Sequence, residues 1–166
     1  SDVCSSDLQE FNICVDEYAD RVYRFILKNM NMPEDAQDVV QAAFEKMWKH
    51  RDEVKTATAK SYLFTVAYHQ MIDHIRKNQR IVSMSDFDES ASVMHVRQAG
   101  FKKELEKALQ QLTPLQKSLI LLKDYEGYSY EEIGKITSLN ASQVKVYFHR
   151  ARFQLKEYIG KIENLI

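Results

Sequence analysis

The chain has 166 residues, 45% apolar and 28% charged, a composition that excludes a disordered chain and allows one ordinary domain or two small ones. Its 4 Gly and 2 Pro are too few for the many tight turns of a sandwich or barrel, and no apolar run approaches the roughly 18 residues of a membrane span. The 23 basic and 24 acidic residues nearly cancel, which argues against uniform nucleic-acid affinity and leaves local clusters to decide. No charged segment followed by an apolar one opens the chain, so the expectation is a soluble, cytoplasmic, helical protein.

Residues 1–8 show no pattern and stay outside the fold argument. Cys4 and Cys14 form no CxxC and have no His pair at zinc-helix spacing, so two free thiols in a reducing compartment are expected and no metal. Phe11, Val15, Tyr18, Val22 and Phe25 step by three or four and predict an amphipathic helix that ends near Pro33. A second begins there, with Pro33 suited to a first turn and Glu34 and Asp35 matched to the positive helix end. Its Ala36, Val40, Ala43 and Met47 form one stripe; Gln37, Asp38, Gln41, Glu45 and Trp48 lie on or near the other side. That side fits either a solvated face or a docking surface with Trp48 as its anchor. Arg51 to Lys60 reads as a polar loop. A third helix runs from about Lys60 to Gln79 on Phe64, Tyr68, Met71 and Ile75. It also carries Tyr62 and His69, then Arg76, Lys77 and Arg80. Aromatic rings beside cations are the ingredients of single-strand binding, although Phe64 and Tyr68 are at helical spacing and suit a core.

Periodicity stops between Val82 and Gly100, where Asp86, Asp88 and Glu89 stand among serines. About twenty such residues are unusual inside a compact domain and read as an acidic tether between two helical modules. The predicted division is 9–80, 81–100 and 101–166.

The second module is a run of short helices. Leu105, Leu109 and Leu112 mark one; Thr113-Pro114 caps the next, carried by Leu115, Leu119 and Leu122. Gly127 sits in a turn. Ser129 stands three before Glu132 and Asn140 three before Gln143, two capping boxes that open a helix to about Ile136 and a last, longest one to about Ile162. The pair 129–136 and 140–155 fits a helix-turn-helix. Gly134 is small where the helices would touch, Thr137-Ser138-Leu139 is a tight turn, and Val144 would plug the joint. Ser138 stands where such turns often prefer Gly. Residues 135–161 hold six basic residues against Glu157 alone. In this reading Ser142, Gln143, Lys145 and Val146 face base edges in the major groove, and Arg150 and Arg152 meet phosphates. The alternative is a plain helical hairpin with a solvated basic face.

Three blocks carry a resemblance. Residues 36–48 (AQDVVQAAFEKMW) resemble the polymerase-clamp-binding helix of bacterial sigma factors of the extracytoplasmic-function group, in the sigma-70 family. Residues 61–69 (SYLFTVAYH), followed by Asp73 and Arg76, resemble their −10-recognition helix. Leu112-Thr113-Pro114, residues 128–134 (YSYEEIG), and Val144-Lys145 with Arg150-Ala151-Arg152 resemble their −35-binding domain. Order and spacing agree over residues 10–160.

The resemblance implies an all-α protein of two small modules joined by a flexible acidic tether, the second a helix-turn-helix domain, working as a dissociable initiation subunit of RNA polymerase and not as an enzyme. Asp38, Gln41, Phe44 and Trp48 would meet the clamp of the largest polymerase subunit. The loop 53–60 with Tyr62, Tyr68 and His69 would capture an unstacked −10 base, at a cost of a few kcal/mol offset by stacking and pocket contacts. Arg76, Lys77 and Arg80 would hold nearby phosphates. The tether would thread toward the active centre, its carboxylates mimicking RNA charge. The implied partners are core RNA polymerase, promoter DNA and an anti-sigma factor, often membrane-tethered in this family, with no cofactor and no small-molecule substrate. Two positions depart from the pattern: Ala42 stands where many members are acidic, and His69 where Asn is common, which bears on clamp contact and −10 base preference. Against this stands a helix-turn-helix regulator that binds duplex DNA alone. An enzyme is disfavoured, because His50, His69, His74, His95 and His149 form no metal or triad spacing and no Gly-rich phosphate loop occurs.

Overall fold

Helix α1 (Leu8–Met30) places Val22, Phe25 and Ile26 at three- and four-residue steps, and all three are buried. The computed structural model describes residues 8–82 and 101–164. After α1 the chain reverses at Asn31, whose left-handed backbone (φ 60°) is one that Asn tolerates better than most residues. Helix α2 (Pro33–Lys49) then starts with Pro in its first turn, Glu34 and Asp35 beside its positive end, and no side-chain cap at Met32. It buries Val39, Val40, Ala43 and Met47. A short 3-10 turn (Thr56–Thr58) leads into α3 (Ala59–Val82). Val54, buried before that turn, pins the otherwise polar loop to the core. Helix α3 packs on both α1 and α2, burying Leu63, Phe64, Ala67 and Met71. Leu63, Phe64 and Met71 each contribute about 1.5–3 kcal/mol by leaving water, and Ala67 less.

The second module begins with α4 (Phe101–Gln110) and α5 (Pro114–Ile120), the latter opened by a full capping box of Thr113 and Gln116. Helix α5 does not stop at the predicted turn. It widens into one π-helical stretch (Leu121–Tyr125), and the chain leaves it at Gly127 (φ 74°). Helix α6 (Tyr130–Thr137) and α7 (Ala141–Asn164) follow, each at its predicted capping box. Leu109, Leu112, Leu119, Leu122, Ile133, Ile136, Val144, Phe148 and Ala151 fill this module's interior.

The architecture is therefore all-α in two helical modules, as expected. What the sequence did not reveal is that the modules pack on one another, α6 along α3 and α5 against the end of α1, so that a single core runs through both. The tether residues 83–100, with Asp86, Asp88 and Glu89, lie outside the described residues, as do Cys4 and the side chain of Arg80. Cys14 is buried and disulfide-bonded, which corrects the expectation of two free thiols.

Candidate nucleic-acid and polymerase interface

The helix-turn-helix is built from backbone outward. Ser129 accepts from the Glu132 amide (3.1 Å) while Glu132 accepts from the Ser129 amide (2.9 Å), which fixes the start of α6. At the joint, a Cβ on Gly134 would lie 2.5 Å from the Leu139 carbonyl oxygen, so only glycine lets the turn close. The Leu139 amide donates to the Gly134 carbonyl (2.9 Å), and Ser138 takes the left-handed conformation (φ 63°) that usually favours Gly. Val144 is fully buried beneath this turn. With the joint fixed, α7 can turn only one side outward. Ser142, Gln143, Lys145, Val146, Arg150 and Arg152 are all exposed on it, Val146 at 46%.

One of these is already engaged. The Gln143 side-chain oxygen accepts from the Asn140 amide (3.1 Å), completing the cap of α7. Its amide protons, on Nε2, remain free for a base edge. A bidentate pairing that uses both amide groups would have to break the cap.

In the first module the predicted residues divide by depth. Asp38 and Gln41 are exposed on α2, and Gln41 donates to Glu45 (3.4 Å). Trp48 is half-buried: its ring meets Phe11 edge-on (centroids 4.9 Å) and carries the Arg51 guanidinium 4.3 Å above it. Phe44 is core, 9% exposed and edge-on to Phe11, so it packs beneath the face expected to dock and offers almost no surface of its own. On α3, Tyr68 is likewise buried (6%), because it falls on the stripe that packs the module; its ring lies beside His69 (5.3 Å). Burial raises the Tyr68 phenol above its ordinary value, and burial with the Glu53 carboxylate does so for Tyr62, so both remain neutral donors. Tyr62 and His69 are half-buried, and Arg76 and Lys77 are exposed.

Asp38 and Lys46 of α2 and His69, Asp73, His74 and Lys77 of α3 line one groove of about 670 Å³. Of the residues expected at the clamp Asp38 lines this groove, and of those expected at the −10 strand His69 and Lys77 do. At its floor His74 Nε2 sits 3.4 Å from an Asp35 carboxylate oxygen, at ion-pair distance but without hydrogen-bond alignment. Among the described residues no cluster of His, Cys, Asp or Glu could hold a metal ion, and no helix is long and apolar enough to cross a membrane.

The residues that sequence reasoning missed join the modules. Asn29, Lys117, Ser118 and Glu126 lie outside the resembling blocks, and Tyr128 only opens one of them, yet each touches the opposite module. Lys117 stands in a polar triplet, Gln116-Lys117-Ser118, ahead of the apolar run Leu119 to Leu122, and nothing in that pattern marks it for burial.

The family comparisons agree with this geometry. Residues 14–81 match the model of Sigma-70 region 2, and residues 102–155 match Sigma-70, region 4. The chain is 29% identical over 157 residues to the ECF RNA polymerase sigma factor SigE of Mycolicibacterium smegmatis, covering 89% of this chain and 60% of SigE. It is 28% identical to the RNA polymerase sigma factor SigV of Bacillus subtilis, covering 83% of this chain and 84% of SigV. Among solved structures, the sigma factor RpoE of Bartonella quintana, crystallised with the anti-sigma factor NepR, superposes with a TM-score of 0.78 at 25% identity, over 92% of this chain and 98% of that one. The chain belongs to the sigma-70 family, in its extracytoplasmic-function group.

Proposed function

We propose that this chain is a transcription initiation factor that binds core RNA polymerase and brings it to promoters with −10 and −35 elements. It has no catalytic role of its own and acts in the bacterial cytoplasm. The observation that carries this is the exposed, glycine-jointed α7, presented by a region 4 module in the same chain as a region 2 module. Ser142, Lys145, Val146 and the free amide of Gln143 read the −35 duplex, while Arg150 and Arg152 hold phosphates. Asp38, Gln41 and Trp48 meet the polymerase clamp. Tyr62, His69, Arg76, Lys77 and Arg80 serve the −10 strand, with Tyr68 packing behind His69. The division 9–80, 81–100 and 101–166 separates these tasks. An anti-sigma factor is the expected inhibitor, since a solved relative was captured with one; where that inhibitor sits in the membrane, it would hold the chain at the inner membrane.

The test is gel filtration with bacterial core polymerase. The expected result is co-elution by the wild type and its loss in Asp38→Lys with Gln41→Ala. These exposed sites read docking more cleanly than Trp48, whose removal would also strip Phe11 and Arg51 of their partner. Failure of the wild type to co-elute would reject the reading and favour a stand-alone regulator.

A further inference from the structure

Helix α7 spends one stripe on the core and shows the rest. At about 100° per residue, Val144, Phe148, Ala151 and Leu155, all buried, define its inner side. Among the described residues, two of the exposed large apolar side chains lie almost opposite that stripe: Val146, 46% exposed, and Phe153, 64% exposed. They are about two turns apart, so they point within about 20° of one another and stand about 10.5 Å apart along the axis. Apolar residues scattered singly over a surface need no explanation, but two in register on one ridge do.

The charges beside this ridge fit a duplex. Arg150 lies on one flank, and Lys145, Arg152 and Lys156 lie on the other, all of them exposed. From Ala141 to Lys156 the helix carries no carboxylate, and Glu157 is the first. A helix seated in a major groove runs between two rows of phosphates and turns its middle line to the base edges. Cations along both flanks and an apolar middle line match that geometry. In the groove, an apolar side chain on the middle line has one base-specific partner, the 5-methyl group of thymine, which Phe can cover. The base contacts expected of α7 stop at Val146, two turns short of Phe153.

We infer that Phe153 is a further specificity-determining residue of α7, which packs on a thymine 5-methyl group at one end of the −35 duplex, about three base pairs from the pair met by Val146. The inference rests on the −35 role proposed for α7 and extends it by two turns. The spacing follows from about 10.5 Å along the helix against about 3.4 Å per base step. Arg150, on the flank between the two apolar residues, keeps its phosphate. Phe153 brings neither donor nor acceptor to the groove, so it senses the methyl group alone and leaves hydrogen-bond readout to the start of the helix. Glu157, one turn further, sets a negative charge where the ridge ends and limits the reading face to the residues before it.

The test uses the full chain with core polymerase. Duplexes selected from a randomised pool by wild type, Val146→Ala and Phe153→Ala give the preferred base at each position. Wild type should select a thymine, on either strand, that Phe153→Ala no longer selects, about three base pairs from the position that Val146→Ala relaxes. Replacing that thymine by deoxyuridine, which removes only the methyl group, should weaken wild-type binding about fourfold and leave the binding of Phe153→Ala as it was. The Phe153 side chain is exposed, so helical content by circular dichroism should match wild type. An unchanged selection by Phe153→Ala, or an equal response of both proteins to deoxyuridine, overturns the proposal and leaves the initiation-factor reading intact. So does an equal loss of affinity for every duplex, which would put the ring on the sugar–phosphate backbone. Lost polymerase co-elution in Phe153→Ala with unchanged selection would assign the ridge to polymerase instead, and it overturns the proposal too. A wild type that co-elutes but selects no sequence rejects base reading by α7 and this proposal with it, whereas a wild type that does not co-elute rejects the assigned function first.

Discussion

Helices α3 and α7 are both 24 residues long, and both carry residues assigned to DNA, but they present them in opposite ways. Helix α3 is enclosed by α1, α2 and α6, so Tyr68 is buried and Tyr62 and His69 are half-buried. Helix α7 is the last element, packed on one side only, and all six of its assigned residues are exposed. A central helix must spend its periodic stripe on the core, and what remains for a ligand is covered by whatever packs beside it. A terminal helix needs one stripe for packing and is free to offer the rest. The surface of α7 is therefore preformed, while that of α3 is partly covered by its neighbours and open at Arg76 and Lys77.

The largest effect should come from destroying the preformed half of this comparison. Gly134→Ala forces a Cβ to 2.5 Å from a backbone carbonyl, which cannot swing aside as a side chain can. Overpacking of this kind costs about 1–3 kcal/mol, and the strained joint would re-aim α7. Chemical denaturation should show the loss, and −35 duplex binding should fall further than stability alone explains. A variant that keeps wild-type duplex affinity would show that the joint does not aim α7.

Within α7, cap and reader can be separated. Gln143→Glu keeps an acceptor for the Asn140 amide and adds negative charge at a helix N-terminus, so stability should hold or rise slightly. It removes the only amide protons left for a base, so sequence preference should change by about 1–3 kcal/mol at one position. Arg150→Ala should instead weaken binding to all duplexes and lower the salt slope by about one. Competition titrations at several salt concentrations distinguish the two, and identical behaviour would move the reading face off the start of α7.

How much of this was legible in the sequence follows from where the determining interactions lie. The helices of α6 and α7 begin where Ser129 with Glu132 and Asn140 with Gln143 sit three apart, an interaction that a sequence displays directly. Trp48 and Phe44 were placed on the right helix, but whether each faced out depended on Phe11 of another helix. The contact of Asn29 with Lys117 and Ser118 joins residues 88 and 89 apart, and no periodicity encodes it. Lys117, between Gln116 and Ser118, reads as an ordinary exposed charge. The continuation of α5 into a π-helical stretch was hidden for a similar reason, since Asp124 to Tyr128 carries turn-forming residues either way.

Lys117 also sharpens the comparison from the covered side. Burial lowers its pKa from the ordinary 10.5. The packed state thus holds the proton less tightly than the unfolded chain, so Lys117 weakens packing at neutral pH, and stability from this group is regained as pH rises toward 10.5. Lys117→Met should therefore be more stable than wild type near pH 7, measured by chemical denaturation. The advantage should shrink in alkaline solution. Taking the difference between the two proteins at each pH cancels Tyr128, whose phenol burial raises and whose ionisation acts oppositely. An advantage that does not change with pH would mean the gain comes from methionine packing alone.

The smallest effect is expected at the point where the two helices meet. Ser138 holds a left-handed backbone that costs a non-glycine residue roughly 1–2 kcal/mol, and its hydroxyl lies 3.4 Å from His69. Ser138→Gly removes the strain but loosens the unfolded chain, leaving a net gain of about 0.5–1 kcal/mol. It also deletes the hydroxyl at α3. The turn should become more stable, measured by denaturation. If stability fell instead, the hydroxyl would be worth more to the molecule than the backbone strain it accompanies, and the contact between α3 and the turn before α7 would be a principal support of the packing between the modules and not its outer edge.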